Sequence, residues 1–318
     1  MIMNGTVLAA CLHACVAVQP VNGVEIINSL MYAYIAQPQP QAQPKPQSLY
    51  AELVQELTAA GIRVDVAKPR DLAAFANAGR GISKDRVAAI IRLDASSDSK
   101  IPEVDISAAG IIGLPHVAPM RAVGDIMLSQ LAVSAEMGDA ADVLHWSRKI
   151  AVLHLHGSKQ RFMVEAQFCT TLLQSFVDVI SASGMVAKVA EKDREQLSLI
   201  ATALRKQHLE AVRTGLRGER DYVVSRIKLD DSVAYPLSKS AWRQVRNRQL
   251  KTVNEVTRLY DLAISEVAEG AIDVARTKEA IDSTPVDTAK YFTSYVPAFL
   301  ERSAQALAAV DQLLKALK

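Results

Sequence analysis

The chain predicts an all-α fold, an array of antiparallel helical hairpins forming either a tetratricopeptide-like α-α superhelix or an irregular helical bundle. Three observations carry this. From Ser48 onward apolar residues recur at helical spacing, and no run of alternating strand pattern competes with them. Only 5% of residues are aromatic, and Gly and Pro are sparse beyond residue 120, whereas β-rich domains need turn residues every few positions and lean on aromatic strands. Finally, Glu136-Met-Gly-Asp139 separates two long apolar stripes with a corner too short for anything but a reversal of direction.

The elements follow in order. Val7–Val18 is apolar, and Glu25 is the only charge before Lys45. Ala14 and Ala17 are spaced like a small-residue cleavage site, and Leu8-Ala-Ala-Cys11 resembles a lipoprotein processing box. A positive n-region is absent, and the stretch is shorter than the roughly 20 residues that span a bilayer. A degraded export signal and an ordinary buried helix both fit residues 1–36. Gln37–Gln47 alternates Gln and Pro and reads as a solvated polyproline II linker, which leaves 48–318 as the helical domain.

Leu49, Leu53, Val54 and Leu57 share a face that closes at Gly61. Pro69 is expected to open a helix over Asp71–Asn77, and Ser83 to cap one running towards Leu93. Ser96–Ser99 is a loop. The next helix, about Met120–Met137, stops at Gly138, and Asp139 caps its antiparallel successor, which carries the stripe Ala140, Val143, Leu144, Ile150, Ala151, Leu155. Further helices are expected over about Arg161–Ser181 and around Leu197, Ala201, Leu204, His208 and Ala211. Pro236 precedes what reads as the longest helix, with Trp242, Val245, Val253, Val256, Tyr260, Ala263 and Val267 in phase. Pro297 begins the last. Ile62–Val66 and Val104–Ile106 are short candidates for extended chain.

Chemistry is less legible. The net charge of +2 gives no global attraction to polyanions, which argues against nucleic acid as a partner. Cys11, Cys15 and Cys169 form neither a disulfide framework nor a zinc set, and Cys169 reads as a small core residue. Gly79-Arg-Gly-Ile-Ser-Lys84 lacks the spacing and the preceding strand of a phosphate loop, so helix capping explains it. At 100° per residue His154 falls on the apolar stripe, and His145 and His156 fall opposite, about 16 Å apart along the axis. No single metal holds both, so no metal or cofactor is expected. His154 and His208 read as core residues hydrogen-bonded to a neighbour. Metalloprotease, di-iron and serine-hydrolase motifs are all absent from the sequence. Lys239, Arg243, Arg246, Arg248 and Lys251 form an acid-free run that could bind an anion such as a nucleic-acid phosphate or lipid headgroup. They spread over more than half a helical wheel, as the solvated surface of a helix paired with acids elsewhere also would.

The stretch Asp105-Ile-Ser-Ala-Ala-Gly110, Leu114-Pro-His116, Pro119-Met-Arg121 and Glu136-Met-Gly-Asp139 resembles a family of helical proteins abundant in planctomycete-type bacteria. Leu216-Arg-Gly-Glu219-Arg220, Asn254 with Tyr260, and Val296-Pro-Ala-Phe299 add to the likeness, which covers about Leu93–Lys318. The resemblance implies a tetratricopeptide-like helical array. It also implies an envelope association, since members usually begin with an apolar anchor, so an exported or envelope location is expected ahead of a cytoplasmic one, with peripheral membrane association open. It implies no activity. The functional expectation is therefore a non-enzymatic scaffold that binds a protein or peptide on polar positions lining a groove between helices. The alternatives are an enzyme or small-ligand binder with a cleft site, and an anion-binding module built on Lys239–Lys251.

Overall fold

The computed structural model describes residues 48–96, 114, 116–227, 239–268 and 270–318. The expectations for 1–36, for the 37–47 linker, for Val104–Ile106 and for Asp105–Gly110 lie outside them. The fold is all-α: α1 (Leu49–Ala59), α2 (Leu72–Gly79), α3 (Lys84–Ile90), α4 (Val117–Met137), α5 (Ala140–Ser158), α6 (Met163–Ala182), α7 (Met185–Lys188), α8 (Glu191–Ile227), α9 (Lys239–Ser265), α10 (Ala275–Ser283), α11 (Asp287–Thr293) and α12 (Val296–Ala316). Among the described residues the only β pairing is an isolated bridge between Val267 and Ile272. No helix there is long and apolar enough to cross a membrane.

The starts of the helices are set by side-chain caps, which satisfy amide groups that have no partner inside the helix. Ser48, Asp71, Ser83 and Asp139 accept from the amides of Ala51, Ala74, Arg86 and Asp142. Asp71, not Pro69, thus fixes the start of α2. At the α4–α5 corner Gly138 takes φ 74°, a left-handed conformation open to glycine at little cost, and the Asp139 amide reaches back to the Ser134 carbonyl. The two helices then run antiparallel. Gly124 sits against Leu153, and Gly157 sits against Met120, at matching distances either side of the corner.

α8 is the spine of the molecule, packing against α5, α6, α9 and α12. Its antiparallel pairing with α9 is pinned by Arg213 donating to the Val267 carbonyl, Arg220 to Asp261, and Gln249 to the Ile227 carbonyl. On another side Arg205 pairs with Asp311 of α12, and His208 meets the Ser303 carbonyl. At 37 residues α8 is longer than α9 at 27, which corrects the expectation that the helix after Pro236 is the longest. Gly215 and Gly218 blur the periodicity of α8 after Ala211. The helix continues because tertiary packing outweighs the roughly 1 kcal/mol intrinsic cost of each glycine. α9 stops at Ser265, short of Val267, which leaves the helix to bridge Ile272. The short helices α7, α10 and α11 were not expected. Ile62–Val66 forms neither helix nor strand.

The close approach at Gly218 yields a prediction in which two effects oppose each other. A Cβ there would lie 1.7 Å from the Arg161 carbonyl oxygen and 2.7 Å from its carbon, atoms of backbone rather than of a flexible side chain. Helix propensity alone favours Ala by about 1 kcal/mol. Overpacking against backbone costs about 3 kcal/mol, at the upper end of its usual range. Gly218→Ala is therefore expected to lose about 2 kcal/mol net in urea denaturation, and a variant as stable as the parent would refute the contact.

Candidate functional site

Three regions could carry function. The first is a cleft of about 270 Å³ where the segment before α2 crosses α4 and α6. Its floor is Gly124, Leu128, Phe168 and Leu172, and its rim carries Lys68, Arg70, Arg121, Asp125, Thr171 and Ser175. Arg70 is committed: its guanidinium grips both carboxylate oxygens of Asp125 and lies 5.2 Å over the Phe75 ring. That fork ties the segment ahead of α2 to α4. Lys68 and Arg121 are exposed, and neither forms an ion pair among the described residues. Ser175 is buried to 5% exposure with no hydrogen bond for its hydroxyl among those residues. Three cations thus face one carboxylate over an apolar floor.

The second region joins α6, α8, α9, α11 and the start of α12. Tyr260 and Tyr295 hydroxyls lie 2.8 Å apart, and Tyr295 donates to Glu219 at 3.0 Å. Burial pushes the Glu219 carboxyl above its ordinary range, with the Tyr295 hydroxyl and the Met163 amide pulling the other way. Burial likewise raises both tyrosines. Around this chain of hydroxyls stand Tyr291 at 58% exposure, Tyr295 at 38% and Val164 at 38%. Phe292 packs edge-on to Tyr291, and Tyr222 edge-on to Phe162. This is a surface cluster of aromatics in a chain that holds few.

The third region is the basic run. Arg243, Arg246, Arg248 and Lys251 are exposed along α9, which Lys239 opens, while Val245, Gln249, Thr252 and Val256 are buried on the opposite face. Arg243, Arg248 and Lys251 form no ion pair among the described residues, in contrast to Arg258 further along, which pairs with Glu255 and holds that carboxyl down at about 2. No acid occupies the first turn of α9, where the helix dipole would favour one.

His154, His156 and His208 are enclosed by the fold. His156 was expected on the outer face of α5, yet it is fully buried. The last turn of α5 is covered on two sides, so its polar face is also enclosed there: the Tyr50 hydroxyl donates to His156 Nδ1 at 2.5 Å, and Nε2 donates to the Asp94 carbonyl at 2.9 Å. The His154 and His208 rings lie 6.1 Å apart in the core, tilted by 59° to one another. His208 meets the Ser303 carbonyl at 3.0 Å, whereas His154 faces Gln207 with neither ring nitrogen closing a bond of normal geometry among the described residues. Burial holds His154 down at about 3 and His208 at about 4, so both are neutral. Cys169 is buried, and desolvation raises its thiol well above the ordinary value, as suits a core residue. The described residues contain no group of three or more His, Cys, Asp or Glu that could hold a metal.

In comparisons with protein-family models, curated proteins and solved structures, nothing matches this chain. The sequence pointed to the basic run but not to the cleft, whose rim comes from three separate elements with no shared spacing. Its one signal was Arg121, a cation in the opening turns of a helix that is otherwise mostly apolar. The aromatic cluster had a partial signal in Glu219 and Tyr260, which belong to the stretches on which the family resemblance rests.

Proposed function

We propose that the chain is a non-enzymatic helical scaffold that binds a protein or peptide partner through the aromatic surface around Tyr291 and Tyr295. The observation that carries this is the exposure of that cluster. Tyrosines give large contact area with little entropy to lose, and aromatics are enriched where proteins meet. The Tyr295 hydroxyl, bonded to Glu219 and to the buried Tyr260, holds that exposed ring in place, so there a partner meets a preformed surface. The shifted groups on this face, Glu219, Tyr260 and Tyr295, are engaged in hydrogen bonds with one another, and His154, His208 and Cys169 are enclosed in the core, which supports binding over catalysis. The 37-residue α8, packed against four helices, supports an irregular bundle over a superhelix of matched pairs. The likeness to planctomycete-type helical proteins fits this reading, because its motif residues His116 and Gly218 have packing roles.

The test is affinity capture from the native host with the parent chain and with Tyr291→Ser combined with Val164→Ser, both at exposed positions. A partner retained by the parent is expected to lose at least tenfold in recovery with the double variant. Equal recovery would count against this surface.

A second reading is favoured by Arg243, Arg248 and Lys251 of α9, which form no ion pair among the described residues: an anion-binding module. Its signature is binding to nucleic acid or anionic vesicles that weakens steeply with salt and disappears in Arg243→Gln with Arg246→Gln. Binding through the aromatic surface should change little over the same salt series.

A further inference from the structure

We infer that the cleft between α4 and α6 is a binding site for a small organic oxyanion, a carboxylate or phosphate monoester carrying an apolar body of about one ring. The argument begins with charge. Lys68, Arg70 and Arg121 meet a single carboxylate, Asp125, and Arg70 already engages both of its oxygens. That leaves Lys68 and Arg121 uncompensated among the described residues and facing the same space. Like charges brought together cost free energy unless an anion joins them. Next come directional donors. The Ser175 hydroxyl lines the cleft from α6: the residue is mostly enclosed, but its oxygen opens into the cleft and makes no hydrogen bond among those residues. An open hydroxyl without a protein partner is free to donate, and an oxyanion at the rim accepts from it in place of water.

The floor then selects the rest of the ligand. Leu128, Phe168 and Leu172 are held by the core, so the surface below the cations is apolar and rigid. A volume of about 270 Å³ accommodates a ring and its acidic group. The anchoring is preorganised, since the Arg70–Asp125 fork fixes the segment that carries Lys68. This site is separate from the aromatic surface and does not depend on the scaffold reading.

The experiment titrates the full chain with phenyl phosphate, with benzoate and with uncharged benzyl alcohol, at about 0.15 M salt so that non-specific attraction is screened. Calorimetry or ligand-induced NMR shifts supply the readout. Saturable binding with Kd of about 1 mM or tighter is expected for at least one of the two anions, and none for the alcohol. Preference between the anions tells a phosphate site from a carboxylate site. Lys68→Gln and Arg121→Gln, both at exposed positions, should each weaken binding about tenfold while thermal melting is unchanged. Ser175→Ala should weaken it severalfold. Arg243→Gln with Arg248→Gln on α9 should leave it intact. The inference is overturned if neither anion saturates up to about 10 mM, if benzyl alcohol binds equally well, or if the α9 variant weakens binding as much as Lys68→Gln and Arg121→Gln do.

Discussion

Lowering the pH from 7 to 5 is expected to remove about 4 kcal/mol of folding stability, most of it through His154 and His208. In the unfolded chain both imidazoles titrate near 6.5. In the fold burial holds them at about 3 and about 4, with the His208 ring adding to the depression at His154. Above pH 6.5 neither state binds a proton at these sites, so nothing is lost. Below it the unfolded chain takes up a proton at each site and the fold does not, so stability falls with pH until the folded values are reached. At about 1.4 kcal/mol per pH unit, each histidine costs about 2 kcal/mol at pH 5. Glu219 works in the opposite sense, because its raised carboxyl takes up a proton more readily in the fold, and it offsets a small part of the loss. Glu255, lowered to about 2, loses its contribution only below its unfolded value of 4.5. Urea denaturation at the two pH values measures the difference, and His154→Leu should roughly halve it. A parent chain equally stable at pH 5 and 7 would show that the pair is solvated.

The histidines also show how far the sequence reaches. His154 and His208 were legible as core residues because their positions fall on apolar stripes, and a stripe is a one-dimensional property. His156 was not, because its burial comes from α1 and the Leu93–Asp94 segment folding over the second face of α5. No helical wheel carries that information. The α4–α5 corner was legible to the residue, since a left-handed glycine followed by an aspartate cap is local chemistry. The length of α8 was obscured because Gly215 and Gly218 answer to Phe162, Met163, Ala166 and Arg161 on another segment, not to their own helix. The cleft is the extreme case: Lys68, Arg121 and Ser175 are brought together only by the packing of three elements.

Glu165→Ala is expected to cost about 3–5 kcal/mol, a large loss for one surface-remote side chain. Glu165 and His116 are both fully enclosed, at 1% and 0% exposure, and the imidazole Nε2 bonds one carboxylate oxygen. The other oxygen accepts the Phe162 amide at 2.9 Å and so closes the start of α6. One carboxylate therefore ties the residue preceding α4 to the first turn of α6, 49 positions away. Removing it strands the Phe162 N–H and the His116 Nε2 together. His116 Nδ1 already has no partner among the described residues, so the imidazole would be left with none there. Breaking a buried pair from one side carries the desolvation penalty of the partner that remains, hence the magnitude. Glu165→Gln separates the two roles, since its amide oxygen still accepts from Phe162 while the pairing to His116 loses its charge. It should cost about 1–2 kcal/mol, clearly less than alanine. Denaturant midpoints for the two variants decide this. An alanine variant within about 1 kcal/mol of the parent would mean that water replaces the carboxylate at both partners.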